Sequence, residues 1–159
     1  MSIELARNYL KEWDLDDRIQ EFPVSSATVE LAAQALGCIP ARIAKSLTFL
    51  KDGRCILILA AGDARIDNRK FKDTFGVKAK MLTPEEVLAF TGHEIGGVCP
   101  FGCGPDVDVY TDISLKRFDS VYPAAGSGNS CIRLTCEELF DCSRSLEWVN
   151  VCKNWESES

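Results

Sequence analysis

Apolar residues recur at helical spacing at Ile3, Ala6, Tyr9, Leu10 and Trp13, with Glu4, Arg7, Asn8 and Lys11 opposite them. This spacing predicts an amphipathic helix over Ser2–Trp13, a packing element without chemistry of its own. Arg18–Val24 alternates polar and apolar residues and meets Pro23, the pattern of a short edge strand. Ser25 or Ser26 suits the cap of a helix over Ala27–Leu36, closed by Gly37. Pro40 then opens a helical turn through Arg42.

The middle of the chain reads as a β-hairpin. Ile43–Leu50 is followed by the turn pair Asp52-Gly53. Cys55–Ala61 is a nearly unbroken apolar run, as expected of a strand buried on both faces. Lys45 falls at the start of this core pairing, either as a lysine with its head in water or as a placed charge. Asp67 suits the cap of a helix over Asn68–Phe75, ended by Gly76, and Val77–Met81 reads as a short strand. Thr83-Pro84-Glu85-Glu86 combines a cap, a proline at the first helical position and acidic residues in the first turn, so a helix runs to about Phe90.

Further on, Asp106–Thr111 alternates as a strand and Ile113–Phe118 forms a short helix. Asp119–Ala125 and Ser130–Leu134 are expected to pair as a hairpin around Gly126-Ser127-Gly128-Asn129. A helix from Thr135 to about Cys142 and a strand over Ser145–Val151 complete the order. Such irregular alternation predicts an α/β chain of the α+β type. Its mixed, largely antiparallel sheet is curved or barrel-like, with helices packed around it. Residues 1–153 are expected to form one domain, followed by a disordered polar tail over 154–159.

Composition narrows the function classes. The 159 residues include 46% hydrophobic ones, ordinary for a globular chain. No apolar run reaches the ~20 residues of a membrane span, and the N-terminus has neither a signal-peptide nor a transit-peptide pattern, so a cytoplasmic protein with no membrane partner is expected. The net charge of −6 argues against a general DNA or RNA binder. Residues 65–80 nevertheless concentrate Arg65, Arg69, Lys70, Lys72, Lys78 and Lys80 against Asp67 and Asp73. That face suits one nucleic-acid end, not a broad footprint. The eight cysteines contain no Cys-x-x-Cys pair, and His93 is the single histidine, so most thiols are read as small buried hydrophobes and no metal or other cofactor is expected.

The stretch with most chemical promise is Gly92–Gly102, which holds four glycines and Pro100 between two regular segments. A loop of this composition has a set shape. Its Gly96-Gly97 pair presents main-chain N–H groups able to line a pocket and bind a carbonyl, carboxylate or phosphate. Ser127 lacks the strand–Gly-x-Ser-x-Gly–helix setting of a nucleophile elbow. A Ser127 or Cys99 nucleophile would have to use His93 as its base, so an attacking water or substrate hydroxyl is favoured.

Three segments together carry a family likeness: Ala41-Arg42-Ile43-Ala44-Lys45-Ser46-Leu47, the Gly92–Gly102 loop, and Ala124-Ala125-Gly126-Ser127 leading to Ile132-Arg133-Leu134. In order and spacing they resemble the YbaK/EbsC family, the fold of the editing domain inserted in some prolyl-tRNA synthetases and of its free-standing relatives. The likeness spans roughly Ile19 to Val151. It implies a metal-free hydrolase acting in trans on mischarged aminoacyl-tRNA, often tRNA(Pro) carrying a small wrong amino acid such as Ala, Cys, Ser or Thr. The partners it implies are the tRNA acceptor end and prolyl-tRNA synthetase. It also implies Lys45 as the key active-site residue, the Gly96–Pro100 loop as pocket wall, and Gly126-Ser127 on the facing wall. Gly97 and Val98 N–H groups would stabilise the oxyanion. Ser46 and Cys99 would face the substrate side chain and tune the amino acid preferred. The alternatives are a non-catalytic module that binds aminoacyl-tRNA or a synthetase, and a metal- or redox-responsive protein using Cys99, Cys103 and His93.

Overall fold

The computed structural model describes residues 2–155. In chain order the elements are α1 (Ser2–Lys11), β1 (Ile19–Glu21), α2 (Val29–Leu36), β2 (Ile43–Lys51), β3 (Arg54–Ala61), β4 (Arg65–Ile66), α3 (Asn68–Phe75), α4 (Pro84–Thr91), β5 (Val107–Asp112), β6 (Ser120–Pro123), β7 (Ser130–Ile132), β8 (Leu134–Thr135), α5 (Cys136–Cys142), β9 (Trp148–Val149) and β10 (Cys152–Lys153). Short 3-10 turns occupy Asp16–Arg18, Pro40–Arg42 and Ile113–Arg117.

The main sheet has six strands in the order β8-β6-β2-β3-β5-β9. It is a mixed, curled sheet with helices packed on it, as expected. The β2–β3 hairpin is its longest pairing and is antiparallel. The β2–β6, β3–β5 and β5–β9 pairings are parallel. Two small antiparallel pairs, β1–β7 and β4–β10, lie outside it. β3 explains the core: every residue from Cys55 to Ala61 is buried, and full burial of each Leu or Ile contributes about 1.5–3 kcal/mol.

Helix ends follow the sequence closely. Asp67 Oδ1 accepts from Arg69 and Lys70 N–H at 3.0 Å each and caps α3. Thr83 and Thr135 each form a reciprocal capping box, with Glu86 and Glu138. The cap of α2 is Thr28, not Ser25 or Ser26: Thr28 Oγ1 accepts from Leu31 N–H at 3.1 Å. Ser25 Oγ instead accepts from Ala27 N–H at 3.2 Å, leaving the Ser26 side chain for another use.

Three strand expectations change. The Ser130–Leu134 stretch is interrupted at Arg133 into β7 and β8; the expected hairpin with Asp119–Ala125 is kept in one register through Val121–Leu134 and an Ala124–Cys131 bridge, and β7 pairs with β1 as well. Arg133 Nε donates to Ser120 Oγ at 3.2 Å at the interruption between β7 and β8. Val77–Met81 contributes a single bridge, Met81 to Phe49, and Ser145–Val151 shrinks to β9. The tail expectation lies outside the described residues at 156–159. Trp155, within them, packs its ring 5.1 Å from the Arg117 guanidinium.

Candidate active site

The site forms where β2 loses a neighbour. β6 pairs with β2 only at Ile43 and Ala44, and the Met81 segment meets β2 only from Thr48 onward. In the β2–β3 ladder, alternate residues turn their main chain away from β3. Leu50 N–H donates to Lys80 O at 2.8 Å and Leu82 N–H to Thr48 O at 3.4 Å, which fixes that phase. Ser46 shares it, so its N–H and C=O face the open edge.

A cavity of about 250 Å³ occupies this edge. Its walls are β2 from Ile43 to Thr48, the Ser26–Val29 segment, Ile95, Gly96 and Val98 of the glycine loop, and Ala124 and Cys131 opposite. A second, wider groove of about 640 Å³ adjoins it, lined by Gly62, Asp63, Arg65, Asn68 and Ala79 among others. Lys45, Leu47, Val29 and Met81 line both. Lys45 therefore stands at the junction of a small apolar chamber and an open groove.

Lys45 is held there by main chain. Its Nζ donates to Gly62 O at 3.4 Å and to Ala64 O. Burial pulls its pKa below that of an ordinary lysine, with Cys152 and Asp63 acting in the opposite direction. The turn that supplies the carbonyls is itself anchored. Arg117 grips Asp63 with two bonds, 2.6 and 3.0 Å long, and Ala61 N–H donates to Ser114 Oγ at 3.1 Å. Gly62 leaves no room for a side chain: a β-carbon there would lie 2.0 Å from Pro40 O.

The glycine loop opens with a β-turn in which Gly97 N–H donates to Glu94 O at 3.0 Å. Gly96, at φ 99°, takes the position in this turn that favours glycine. The expected donor role of Gly97 is thereby altered, because its N–H is already used inside the turn. Val98 N–H has no hydrogen-bond acceptor among the described residues. His93 fastens the loop from within: fully buried, its Nε2–H donates to Phe101 O at 2.8 Å, and burial lowers its pKa. Leu5 of α1 packs against Gly92 and Gly102 from outside, so the N-terminal helix buttresses the loop.

Of the residues singled out in the sequence, Lys45, Ser46, Gly96 and Val98 meet at the cavity. Gly97 lies behind it, pressed on the Gly126-Ser127 backbone. Cys99 and Pro100 are buried and turn away from it. The Cys99 Sγ lies 3.4 Å from His93 Nε2, and complete burial pushes the Cys99 thiol well up in pKa. Ser127 Oγ bonds Ser130 Oγ at 2.6 Å and Asn129 Oδ1 at 2.9 Å, so no imidazole activates it. No group of three or more His, Cys, Asp or Glu is placed to hold a metal among the described residues. The residues whose place at the site was missed in the sequence are Ser26, Leu47 and Cys131, together with the Gly62 and Ala64 carbonyls, whereas Arg65 of the expected basic face does line the groove. Ser26 could have been found only by seeing that Thr28 was the better cap.

Comparison with known proteins identifies the family of the chain. Residues 24–142 match the family described as the aminoacyl-tRNA editing domain. The chain is 55% identical over 157 residues to the protein YwhH of Bacillus subtilis, covering 98% of this chain and 100% of that one. It is 30% identical over 136 residues to the proline–tRNA ligase of Bacillus licheniformis, covering 81% of this chain but 23% of the ligase. A solved structure described as "a putative trans-editing enzyme for prolyl tRNA synthetase" superposes with a TM-score of 0.87 at 30% identity, covering 96% of this chain and 97% of that one. On these grounds the chain belongs to the aminoacyl-tRNA editing domain family.

Proposed function

We propose that this protein is a trans-acting deacylase that hydrolyses the ester of a mischarged aminoacyl-tRNA, with tRNA(Pro) bearing a small wrong amino acid as substrate. The observation that carries this reading is Lys45, fixed by two carbonyls at the junction of the small chamber and the open groove. The chamber suits an aminoacyl group; it is below the roughly 300–1,000 Å³ of sites for drug-sized ligands. The groove, with exposed Arg65 on its wall, suits the phosphate and ribose of the acceptor end.

Hydrolysis needs an oxygen nucleophile and relief of charge on the tetrahedral oxyanion. A water adds to the ester carbonyl, either directly or after a neighbouring ribose hydroxyl has taken over the acyl group as a new ester. The intermediate collapses with the ribose oxygen leaving and taking up a proton, giving free amino acid and tRNA. In this reading Lys45 and Val98 N–H face the developing charge. One such donor is worth on the order of 10²–10³ in rate. Gly97, Gly126 and Ser127 support the wall from behind, and prolyl-tRNA synthetase is the partner that would deliver the tRNA. The support is the family membership, the described neighbour and the position of Lys45.

The experiment is a deacylation panel of Ala-, Cys-, Ser-, Thr- and Pro-tRNA(Pro) with wild type and Lys45→Ala. Release from one or two mischarged species, with Pro-tRNA(Pro) spared and the activity lost in the variant, is the expected result. No release from any species, or a fully active Lys45→Ala, overturns the proposal.

A further inference from the structure

The chamber beside Lys45 is lined mainly by apolar groups, yet two of its hydroxyls lack an oxygen or nitrogen partner. Ser26 is 6% exposed and Ser46 is half-buried; both Oγ atoms are shielded from solvent and make no hydrogen bond in the described structure. Both residues line the chamber. The polar neighbour of Ser26 is the Cys131 thiol, which burial raises to about 11, so it stays protonated and is a weak partner. The fold has gone to some length to present these groups. Ser26 N–H is tied to Gly128 O at 2.7 Å, which leaves its side chain facing inward, while Thr28 takes over the capping duty. Ser46 adds the N–H and C=O that its ladder phase turns to the same edge.

Buried polar groups without partners are costly, and a set of them in one chamber points to a ligand that supplies the missing bonds. We infer that Ser26 and Ser46 select a β-hydroxyl on the aminoacyl side chain, making seryl esters the preferred substrate over alanyl esters of nearly the same size. This rests on the deacylase reading above. A hydroxyl both donates and accepts, as the two serines and the Ser46 main chain require. The substrate's α-ammonium fits less well, because Lys45 already brings a positive charge to the same chamber. Size alone separates serine from alanine poorly, whereas a site built to bond a hydroxyl disfavours the analogue that lacks one.

The test is kcat/KM for Ser-tRNA(Pro) and Ala-tRNA(Pro) with wild type, Ser26→Ala and Ser46→Ala, each first checked by thermal melting. The expected wild-type preference for serine is roughly tenfold to a hundredfold. In each variant the Ser-to-Ala ratio should fall at least about threefold toward one. A wild type that prefers alanine, or variants that slow both substrates with the ratio unchanged, overturns the inference while leaving a deacylase in place. If no ester in the panel is cleaved, the deacylase reading fails separately. Binding of 3′-serylamino- and 3′-alanylamino-adenosine then decides the pocket chemistry: tighter binding of the seryl compound, weakened in both variants, supports the inference, and equal binding overturns it. Ser26→Cys and Ser46→Thr, which keep a polar group, serve if either alanine variant does not fold.

Discussion

Ser127 holds its main chain where residue 97 would carry a β-carbon: a carbon built on Gly97 lies 2.7 Å from both Ser127 N and Ser127 Cα. Two loops that are distant in sequence thus touch backbone to backbone, which only glycine at position 97 permits. The neighbour is main chain and cannot swing aside. Gly97→Ala should therefore part the two walls of the chamber, lowering stability by about 1–3 kcal/mol. Deacylation should fall more than the folded fraction does. Urea unfolding alongside single-turnover hydrolysis checks both.

Gly62→Ala strikes the other anchor. The added carbon would sit 2.0 Å from Pro40 O and 2.7 Å from Val29 Cγ1, so the turn must shift. That turn carries Gly62 O and Ala64 O, the acceptors of Lys45 Nζ. A loss of about tenfold or more in kcat is expected, since small misplacements of a reacting group are costly. An unchanged kcat in a folded variant would show that the carbonyl pair does not position Lys45.

Arg117 joins Asp63, Ser114 O and Trp155 on one guanidinium. Both ends of the Asp63 pair are partly exposed, so the pair itself is worth only about 1 kcal/mol. Arg117→Ala should lower Tm by roughly 2–4 °C for a chain of this size. Arg117→Lys should recover little of it, because an ammonium cannot reproduce the planar fork. Differential scanning calorimetry of the three proteins settles the ranking.

His93 makes stability depend on pH. Its burial depresses the folded-state pKa below the ordinary 6.5. As pH falls through 6.5 the unfolded chain takes up a proton that the folded chain resists, so the unfolded state is favoured. The stability His93 confers is full above 6.5 and is lost as pH drops toward the folded value, at up to about 1.4 kcal/mol per pH unit. His93→Gln keeps an N–H for Phe101 O and removes the titration. The wild type should lose more stability than His93→Gln between pH 7 and pH 5.5 in urea titrations.

Local signals were legible in the chain and non-local ones were not. Asp67 with Gly76, and Thr83 with Glu86, announce helix ends through contacts a few residues apart, and these match the structure. The pairing of β7 with β1, which lies more than a hundred residues away in the chain, is recorded by no local pattern. The site divides in the same way. Lys45 and the glycine loop stand out by residue type and lie together. Cys99 and Pro100 lie in that loop but face the core, because His93 and Phe101 draw its second half inward. Ser26 looks like a helix cap until Thr28 is seen to hold that position.

The unpaired stretch of β2 between Ala44 and Thr48 sets a limit on how far this protein can be improved as a folded object. Closing the gap with one more paired strand, or filling the chamber with larger side chains, would raise the melting temperature by the same contacts that, under the proposed function, abolish entry of the aminoacyl group. Selection for heat resistance alone should therefore yield inactive proteins, with replacements gathering at Ser26, Ser46 and Cys131 ahead of other positions. Selection that also demands turnover should leave those three untouched and spend its changes on the distant face of the sheet.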